Sequence, residues 1–463
     1  MTKANIAAVI LAAGKGTRMK SACPKVLHPI AGQPMVRHLL STVERLNPAR
    51  IAVVIGPDMN DVAAAVAPHP AITQHEQLGT AHAALAAIDT LRGFAGDVLV
   101  LYADSPLITQ ESLERLLAVR RAPPYPAVVV LGFRPADPAE YGRLVIKADG
   151  ALERIVEFRD ANAGERAITL CNSGVMSFDG ARIASLLGRI GNSNAKKEYY
   201  LTDAVGLARA EGLACAYVEA PAEELLGINS RAELAAAEAT VQRKLRAHAM
   251  ANGASMTAPE TVWLSHDTRL GQDVSIGPNV VFGPGVVVAD HVEIRAFCHI
   301  EGAHIESGAV IGPFARLRPG AAIGENAHIG NFVEVKNAKI GEGAKANHLT
   351  YLGDARVGAG ANVGAGTITC NYDGFSKYET DIGAGAFIGS NAALVAPVKI
   401  GRGAIVGAGS VITRDVAPDA LALERARQGE VPNWAANFRA QKEAESAGKE
   451  SAKKKTKRDS RSR

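Results

Sequence analysis

From Leu264 onward the chain keeps a six-residue rhythm that few folds can satisfy. Leu264, Leu270, Ile276, Phe282, Val288, Ile294 and Ile300 fall on it without interruption. The register drops one residue and resumes at Ile305, Ile311, Leu317, Ile323, Ile329 and Val335, and two further slips bring Ile340 and Leu352, then Val357 and Val363. After a break it returns at Ile382, Ile388, Leu394, Ile400, Val406 and Ile412. Glycine follows the apolar residue repeatedly, as at Gly277, Gly283, Gly324, Gly341 and Gly401. Such glycine density excludes a helix, where each would cost about 1 kcal/mol relative to alanine. A period of six with glycine at the turns predicts a parallel β-helix, whose stacked coils bury their apolar residues in one column.

The informative positions lie where the rhythm fails. Residues 346–352, Ala-Asn-His-Leu-Thr-Tyr-Leu, put His348 and Tyr351 on a coil. Residues 370–381 form a polar insertion without hexapeptide register, so they must leave the column as an arm. A single histidine in a repeat is ordinarily structural. Here His348 stands amid Arg316, Arg318, Lys336, Lys345 and Asn362, an excess of cations and amides suited to a phosphorylated substrate. Histidine is also the side chain best poised to take a proton from an amine nucleophile near pH 7. Just upstream, residues 231–251 are alanine-rich without proline or glycine, which predicts one long linker helix.

The first half alternates short apolar runs at 51–55, 97–102, 127–133 and 214–218 with helical patterns at 33–46, 79–92 and 110–121. Such alternation predicts a mainly parallel sheet covered by helices on both faces, a Rossmann-like α/β domain that binds ligands at the carboxyl ends of its strands. The first run, Ile6 to Leu11, ends in Ala12-Ala13-Gly14-Lys15-Gly16-Thr17-Arg18. Small residues after a buried strand let backbone N–H groups approach a phosphate chain closely. Lys15, Arg18 and Lys25 add cations where a polyphosphate would lie, although the spacing matches neither a P-loop nor a dinucleotide fingerprint. Tyr102-Ala103-Asp104 closes the strand at 97–102. Asp104 there suits a Mg²⁺ ligand, since that ion prefers oxygen donors and keeps several waters, or else an N-cap for the helix near 110. Asn229 reads either as a cap for the linker helix, as a second oxygen ligand, or as both. Gln74, before Gly79 and Thr80, offers an amide able to read a uracil edge, while Gly142, Glu157 and Asn172 suit sugar hydroxyls.

Leu11-Ala12-Ala13-Gly14-Lys15-Gly16-Thr17-Arg18-Met19 with Pro24-Lys25 resembles the signature of sugar-1-phosphate nucleotidyltransferases. Phe-Ala-Arg-Leu-Arg-Pro-Gly at 314–320, His-Leu-Thr-Tyr-Leu-Gly-Asp at 348–354 and Gly-Ala-Gly-Thr-Ile-Thr-Cys-Asn-Tyr-Asp-Gly at 364–374 extend the likeness. All but the tail resembles the bacterial family of bifunctional N-acetylglucosamine-1-phosphate uridyltransferases/glucosamine-1-phosphate N-acetyltransferases. The resemblance implies a left-handed triangular β-helix with three hexapeptides per coil. It further implies that Leu11, Ala12, Ala13, Gly14, Lys25, Gln74, Gly79, Thr80, Tyr102, Ala103, Asp104, Gly142, Glu157, Asn172 and Asn229 contact UDP-N-acetylglucosamine. Mg²⁺ would rest on Asp104 and Asn229, with Arg18 and Lys25 neutralising charge while the sugar phosphate attacks UTP. In the second half Arg318, Lys336, Tyr351 and Asn362 would hold glucosamine 1-phosphate, and His348 would be the general base that helps acetyl-CoA convert it to N-acetylglucosamine 1-phosphate. Ala365, Asn371, Tyr372, Ser390, Ala408 and Arg425 would line the acetyl-CoA site between neighbouring subunits of a homotrimer. The rivals are a monofunctional pyrophosphorylase whose β-helix only oligomerises, and a non-enzymatic scaffold. His348 and the Asn371-Tyr372 arm argue against the first, the phosphate loop and Asp104 against the second.

The resulting plan is a uridyltransferase domain at 1–230, a linker helix at 231–251, an acetyltransferase β-helix at 252–440 and a basic tail at 441–463. The formal charge of +4 misleads, because residues 449–463 hold eight Lys/Arg against Glu450 and Asp459 and leave the body near −2. That balance argues against a nucleic-acid partner, and the composition predicts a disordered tail. Five scattered cysteines form neither a disulfide framework nor a zinc site and suit a reducing, cytoplasmic compartment. No apolar stretch approaches the ~20 residues that span a bilayer, so no membrane role is expected.

Overall fold

A computed structural model of the chain describes residues 4–138 and 140–459. The N-terminal strand Ala4–Leu11 lies at the centre of a sheet, parallel to Pro48–Ile55 on one side and Asp97–Tyr102 on the other. Ala71–Thr73 extends one edge. Beyond Asp97–Tyr102 come the antiparallel Cys171–Asp179, then Val128–Phe133 and finally Cys215–Glu219. Successive residues of the first strand face opposite layers: Ala7, Val9 and Leu11 pack under the helices Thr80–Ala86 and Asp203–Ala210, while Ile6, Ala8 and Ile10 pack under Met35–Arg45 and Gln110–Arg121. Alternation along a strand buried on both faces thus produces the two-layer helical cover. The pattern at 79–92 resolves into Thr80–Ala86 followed by a 3-10 turn, Ile88–Leu91.

A helix spans Arg231–Ala251, opened by a capping box in which the Ser230 hydroxyl accepts from the Glu233 N–H and the Glu233 carboxylate accepts from the Ser230 N–H. Its buried Gln242 donates to the Leu264 carbonyl at 2.6 Å and accepts from the Leu264 N–H at 2.8 Å, fixing the helix to the start of the repeat.

The repeat is a stack of coils with three ladders of short parallel strands. Register pairs run 17 or 18 residues apart, Ser275 with Glu293, Glu293 with Val310, Val310 with His328 and His328 with Lys345, which explains the one-residue slips in the apolar rhythm. One continuous apolar column from Val262 to Ile412 fills the interior. The recurrent glycines answer a steric demand: a Cβ on Gly277 would lie 2.7 Å from the Ala296 nitrogen, and one on Gly341 2.6 Å from that of Ala359. Residues 371–379, between the strands Ile368–Cys370 and Thr380–Ile382, leave the stack as an arm closed by a Tyr372–Lys377 bridge.

Two features depart from expectation. The last coil strand is Leu421–Ala422, well short of residue 440. The tail expected to be disordered is one helix, Trp434–Asp459, with residues 460–463 outside the described ones. Ala, Lys, Glu and Gln are strong helix formers, and side-chain pairs such as Gln441–Glu445 and Lys442–Glu445 support an exposed helix, so composition that forbids a core does not forbid this one. No helix among the described residues is long and apolar enough to cross a membrane.

Ile311, fully buried in the apolar column, is expected to cost about 2–5 kcal/mol of stability when cut to alanine. Chemical denaturation followed by far-UV circular dichroism checks this, and an unchanged midpoint would show that the column tolerates a void.

Candidate active sites

The first site gathers at the carboxyl ends of the central strands. Leu11, Ala12, Ala13 and Gly14, from the end of Ala4–Leu11, line a cavity of about 270 Å³ with Lys25, Gln74, Gly79, Thr80, Tyr102 and Asp104. Ala103 is buried behind them and donates its N–H to the Leu11 carbonyl at 3.0 Å, tying the two strand ends together. Lys15 also lines the cavity, but Arg18 does not. Left-handed backbone at Gly16 and Lys20 turns the loop into a 3-10 segment, Thr17–Met19, whose Arg18 is exposed. Arg18 thus stands on the surface of this segment, while Lys15 and Lys25 line the cavity.

Lys25 is almost buried, and its ammonium donates to the Asp104 carboxylate and, at 3.0 Å, to the Asn229 side-chain oxygen. Two hard oxygen donors thus converge on one point already held by a cation. That is the donor chemistry a divalent ion with several waters and phosphate oxygens requires. Among the described residues no cluster of three or more His, Cys, Asp or Glu offers an all-protein cage. Neither oxygen is needed as a helix cap: Thr109 caps Gln110–Arg121, and Ser230 caps the linker helix. The dual cap-and-ligand reading of Asn229 is corrected accordingly.

Gly142, Glu157 and Asn172 come together beside Tyr102. The Gly142 carbonyl accepts from the Asn172 N–H at 2.8 Å, and a Cβ on Gly142 would stand 3.5 Å from a Glu157 carboxylate oxygen. Burial pushes the Glu157 pKa up, against the lowering effect of the hydrogen bond from the Thr202 hydroxyl. Gln74 is less free than its sequence suggests, since its amide donates to the Gly79 carbonyl at 3.2 Å and sits 3.0 Å from His82 Nδ1. Gln77 and Glu198 also line the cavity, Gln77 by donating to the Ala13 carbonyl. The pair of glutamines in one polar loop was a usable signal for Gln77; a lone Glu198 in a polar loop gave none.

The second site runs along one edge of the coil stack. Asn331 pairs in register with His348. The Leu349 N–H donates to the Asn331 carbonyl at 3.0 Å and the Gly366 N–H to that of His348 at 3.4 Å. The Asn391 N–H donates to the Ala365 carbonyl at 2.7 Å and the Gly409 N–H to that of Ser390 at 2.8 Å. Arg425 closes the series by donating to the Ala408 carbonyl at 2.9 Å. His348, Ala365, Ser390, Ala408 and Arg425 are therefore consecutive rungs of one edge, although up to 25 residues separate neighbours.

Around that edge lie the cations. Arg318 donates to Glu334 at 2.8 Å, and Glu334 pairs in register with Tyr351. Lys336 stands beside Lys377 of the arm, which by hydrogen bonding and charge pulls the Lys336 pKa below that of an ordinary lysine. The Asp354 carboxylate lies near both lysines and offsets their charge only in part, which leaves room for an anionic ligand. Asn371 donates to Asp354, which also accepts from Asn337 at 2.6 Å, so the base of the arm is fastened to the stack while Tyr372 is exposed. Asn362 lies on the strand Asn362–Val363, in the ladder that also carries His348.

The geometry agrees with what the chain resembles in known proteins. Residues 8–170 match the model of the MobA-like NTP transferase domain, and residues 267–302, 302–337 and 379–414 match the bacterial transferase hexapeptide (six repeats). A relative from Paramagnetospirillum magneticum (strain AMB-1), named "Bifunctional protein GlmU", is 62% identical across 97% of this chain and 100% of its own length. Relatives of the same name from Rhodospirillum rubrum and Acidiphilium cryptum are 65% and 60% identical, across 95% and 93% of this chain and 98% of each relative.

Gly79 has a φ of +125°, and a Cβ there would stand 2.6 Å from the Tyr199 carbonyl oxygen. Strain of about 1–3 kcal/mol is expected in Gly79→Ala, and a loop shift that relieves it should lower nucleotide affinity by roughly fivefold to a hundredfold. Calorimetric titration with UTP measures it, and wild-type affinity would show that the loop relaxes freely.

Proposed function

The chain belongs to the family of bifunctional GlmU proteins and carries their acetyltransferase and uridyltransferase activities; we propose that the two are divided between its two folding units as follows. Residues 252–440 acetylate glucosamine 1-phosphate with acetyl-CoA, and residues 1–230 transfer UMP from UTP to the N-acetylglucosamine 1-phosphate so formed, releasing pyrophosphate. The observation that carries this division is that Lys25–Asp104–Asn229 and the His348 edge lie on separate hydrophobic cores.

In the first reaction Arg318, Lys336, Tyr351 and Asn362 hold the sugar phosphate, leaving its amine beside His348. The amine nitrogen attacks the thioester carbonyl, His348 takes the amine proton, and the C–S bond breaks as His348 returns that proton to the sulfur, releasing the CoA thiol. Ala365, Asn371, Tyr372, Ser390, Ala408 and Arg425 support CoA along the edge. In the second reaction a phosphate oxygen of the sugar attacks the α-phosphorus of UTP in line, and the bond to pyrophosphate breaks. This chemistry needs positioning and charge neutralisation more than covalent help. Leu11 to Gly14 present backbone to the phosphates, and Lys25 and Arg18 neutralise their charge. Gln74, Gly79 and Thr80 hold the base, while Tyr102, Gly142, Glu157 and Asn172 hold the sugar. The oxygens of Asp104 and Asn229 fit Mg²⁺, which when bound neutralises phosphate charge.

An exposed stack of Phe297, Phe314 and Phe332, with ring centroids 4.9 and 5.2 Å apart, and the exposed arm residues Tyr372 and Phe375 support association into a homotrimer. The free cysteines fit a reducing cytoplasm.

His348→Ala is expected to lower acetyl transfer by about 10²–10⁴-fold and leave uridylyl transfer intact, with Asp104→Ala doing the reverse and raising the Mg²⁺ requirement. Separate assays of the two reactions decide this; parallel loss of both in either folded variant would refute the division. Sedimentation equilibrium of the whole chain is expected to give a trimer, and a fully active monomer would refute a shared CoA site.

A further inference from the structure

His348 is exposed on the prism edge, and a side chain so placed has no packing to hold its ring. Its Nδ1 lies 2.7 Å from the side-chain oxygen of Asn331, while Nε2 has no hydrogen-bond partner among the described residues. Asn331 is half-buried, one coil earlier at the register position opposite His348. Both backbones are anchored where the ring needs them. The Asn331 carbonyl accepts from the Leu349 N–H at 3.0 Å, immediately after His348, and the His348 carbonyl accepts from the Gly366 N–H one coil later. Gly330 precedes Asn331, and any Cβ there would collide with the Asn347 carbonyl, so this rung of the ladder is held at backbone contact.

We propose that Asn331 is the positioning residue of the acetyl-transfer site, accepting a hydrogen bond from His348 Nδ1–H so that Nε2 is presented, unprotonated, to the substrate amine. An amide oxygen can only accept, so the ring nitrogen facing it must carry the hydrogen. In a neutral imidazole the other nitrogen then holds the lone pair, which fixes the tautomer and the ring orientation together. When Nε2 takes the amine proton the imidazolium keeps its Nδ1–H bond, and a neutral amide stabilises that cation less than a carboxylate would. The proton can therefore pass on to the departing CoA sulfur, which leaves as the thiol. No residue of the sugar-phosphate or CoA sets performs this task, and the sequence hid it because an asparagine seventeen residues upstream of a histidine has no local pattern.

The inference rests on His348 being the base, and the test separates the two. Asn331→Leu keeps the volume and removes the acceptor, whereas Asn331→Asp keeps an acceptor at the same atom. In full-length protein, acetyl-transfer kcat is expected to fall about tenfold to a hundredfold in Asn331→Leu, part of the 10²–10⁴ that a general base contributes. KM for glucosamine 1-phosphate and acetyl-CoA should stay near wild type, and Asn331→Asp should recover most of the rate. Nitrogen-15 chemical shifts of His348, assigned by their loss in His348→Ala, should report the Nδ1–H tautomer in wild type and a mixture in Asn331→Leu. Uridylyl transfer, unaffected by either variant, reports that the chain is folded. Wild-type kcat in Asn331→Leu, or equal impairment in Leu and Asp variants, would overturn the role of Asn331 while leaving His348 as the base. Full acetyl transfer in His348→Ala would overturn the base assignment and this inference with it.

Discussion

Backbone contact between successive coils is the constraint on which the C-terminal half depends. Parallel strands stack at about 4.8 Å, and at Gly277 and Gly341 even one added carbon would meet the backbone of the next coil. Spacing that tight leaves little freedom in register, so a residue's place on the edge is set by counting coils. His348 and Ala365 become neighbours because one coil separates them, and Ser390 joins them only because the arm carries its extra residues outside the stack. The arm interrupts the apolar rhythm without interrupting the ladder, since Asn362 pairs with Phe387 as though nothing lay between them. An edge built this way presents a line of backbone and small residues, with His348 at one point along it.

The α/β half solves a different problem, how to hold a cation where an anion must come and go. A nearly buried ammonium is costly unless oxygens surround it, and Lys25 finds Asp104 and Asn229 from two distant loops. The fold itself holds these three groups together, so the ammonium is compensated by the loops around it.

How much of this was legible in the sequence follows from the range over which each cause acts. The β-helix was legible because its period is local and repeated, down to the slips that mark seventeen-residue coils. The strand-end residues were legible because a sheet of this class delivers them to one place. The exposure of Arg18 was not, because two left-handed residues, Gly16 and Lys20, turn the loop. Asn229 was overread as a cap because Ser230, its neighbour, is the better acceptor for the first turn. Glu198, Asp354 and Asn331 act through partners remote in sequence, so no window of residues could reveal them. The tail helix was missed because composition reports whether a segment can bury a core, whereas an isolated helix asks only for propensity.

The halves meet at the hairpin that follows Lys25. Its tip residue Ala31 donates its N–H to Glu238 of the linker helix at 2.7 Å, and its carbonyl accepts from the His266 N–H at 2.8 Å and the Ser265 hydroxyl at 3.2 Å in the first coil. Each such bond contributes only about 0.5–1.5 kcal/mol, too little to fuse the domains into one core. Yet they fall on the segment between Lys25 and the helix Met35–Arg45, so the coil stack braces the loop that carries the buried ammonium. The hairpin thus ties the loop that carries Lys25 to the first coil, reinforced by Ile30 and Met35 packed with Ala237 of the linker helix and by His38 set edge-on to His266.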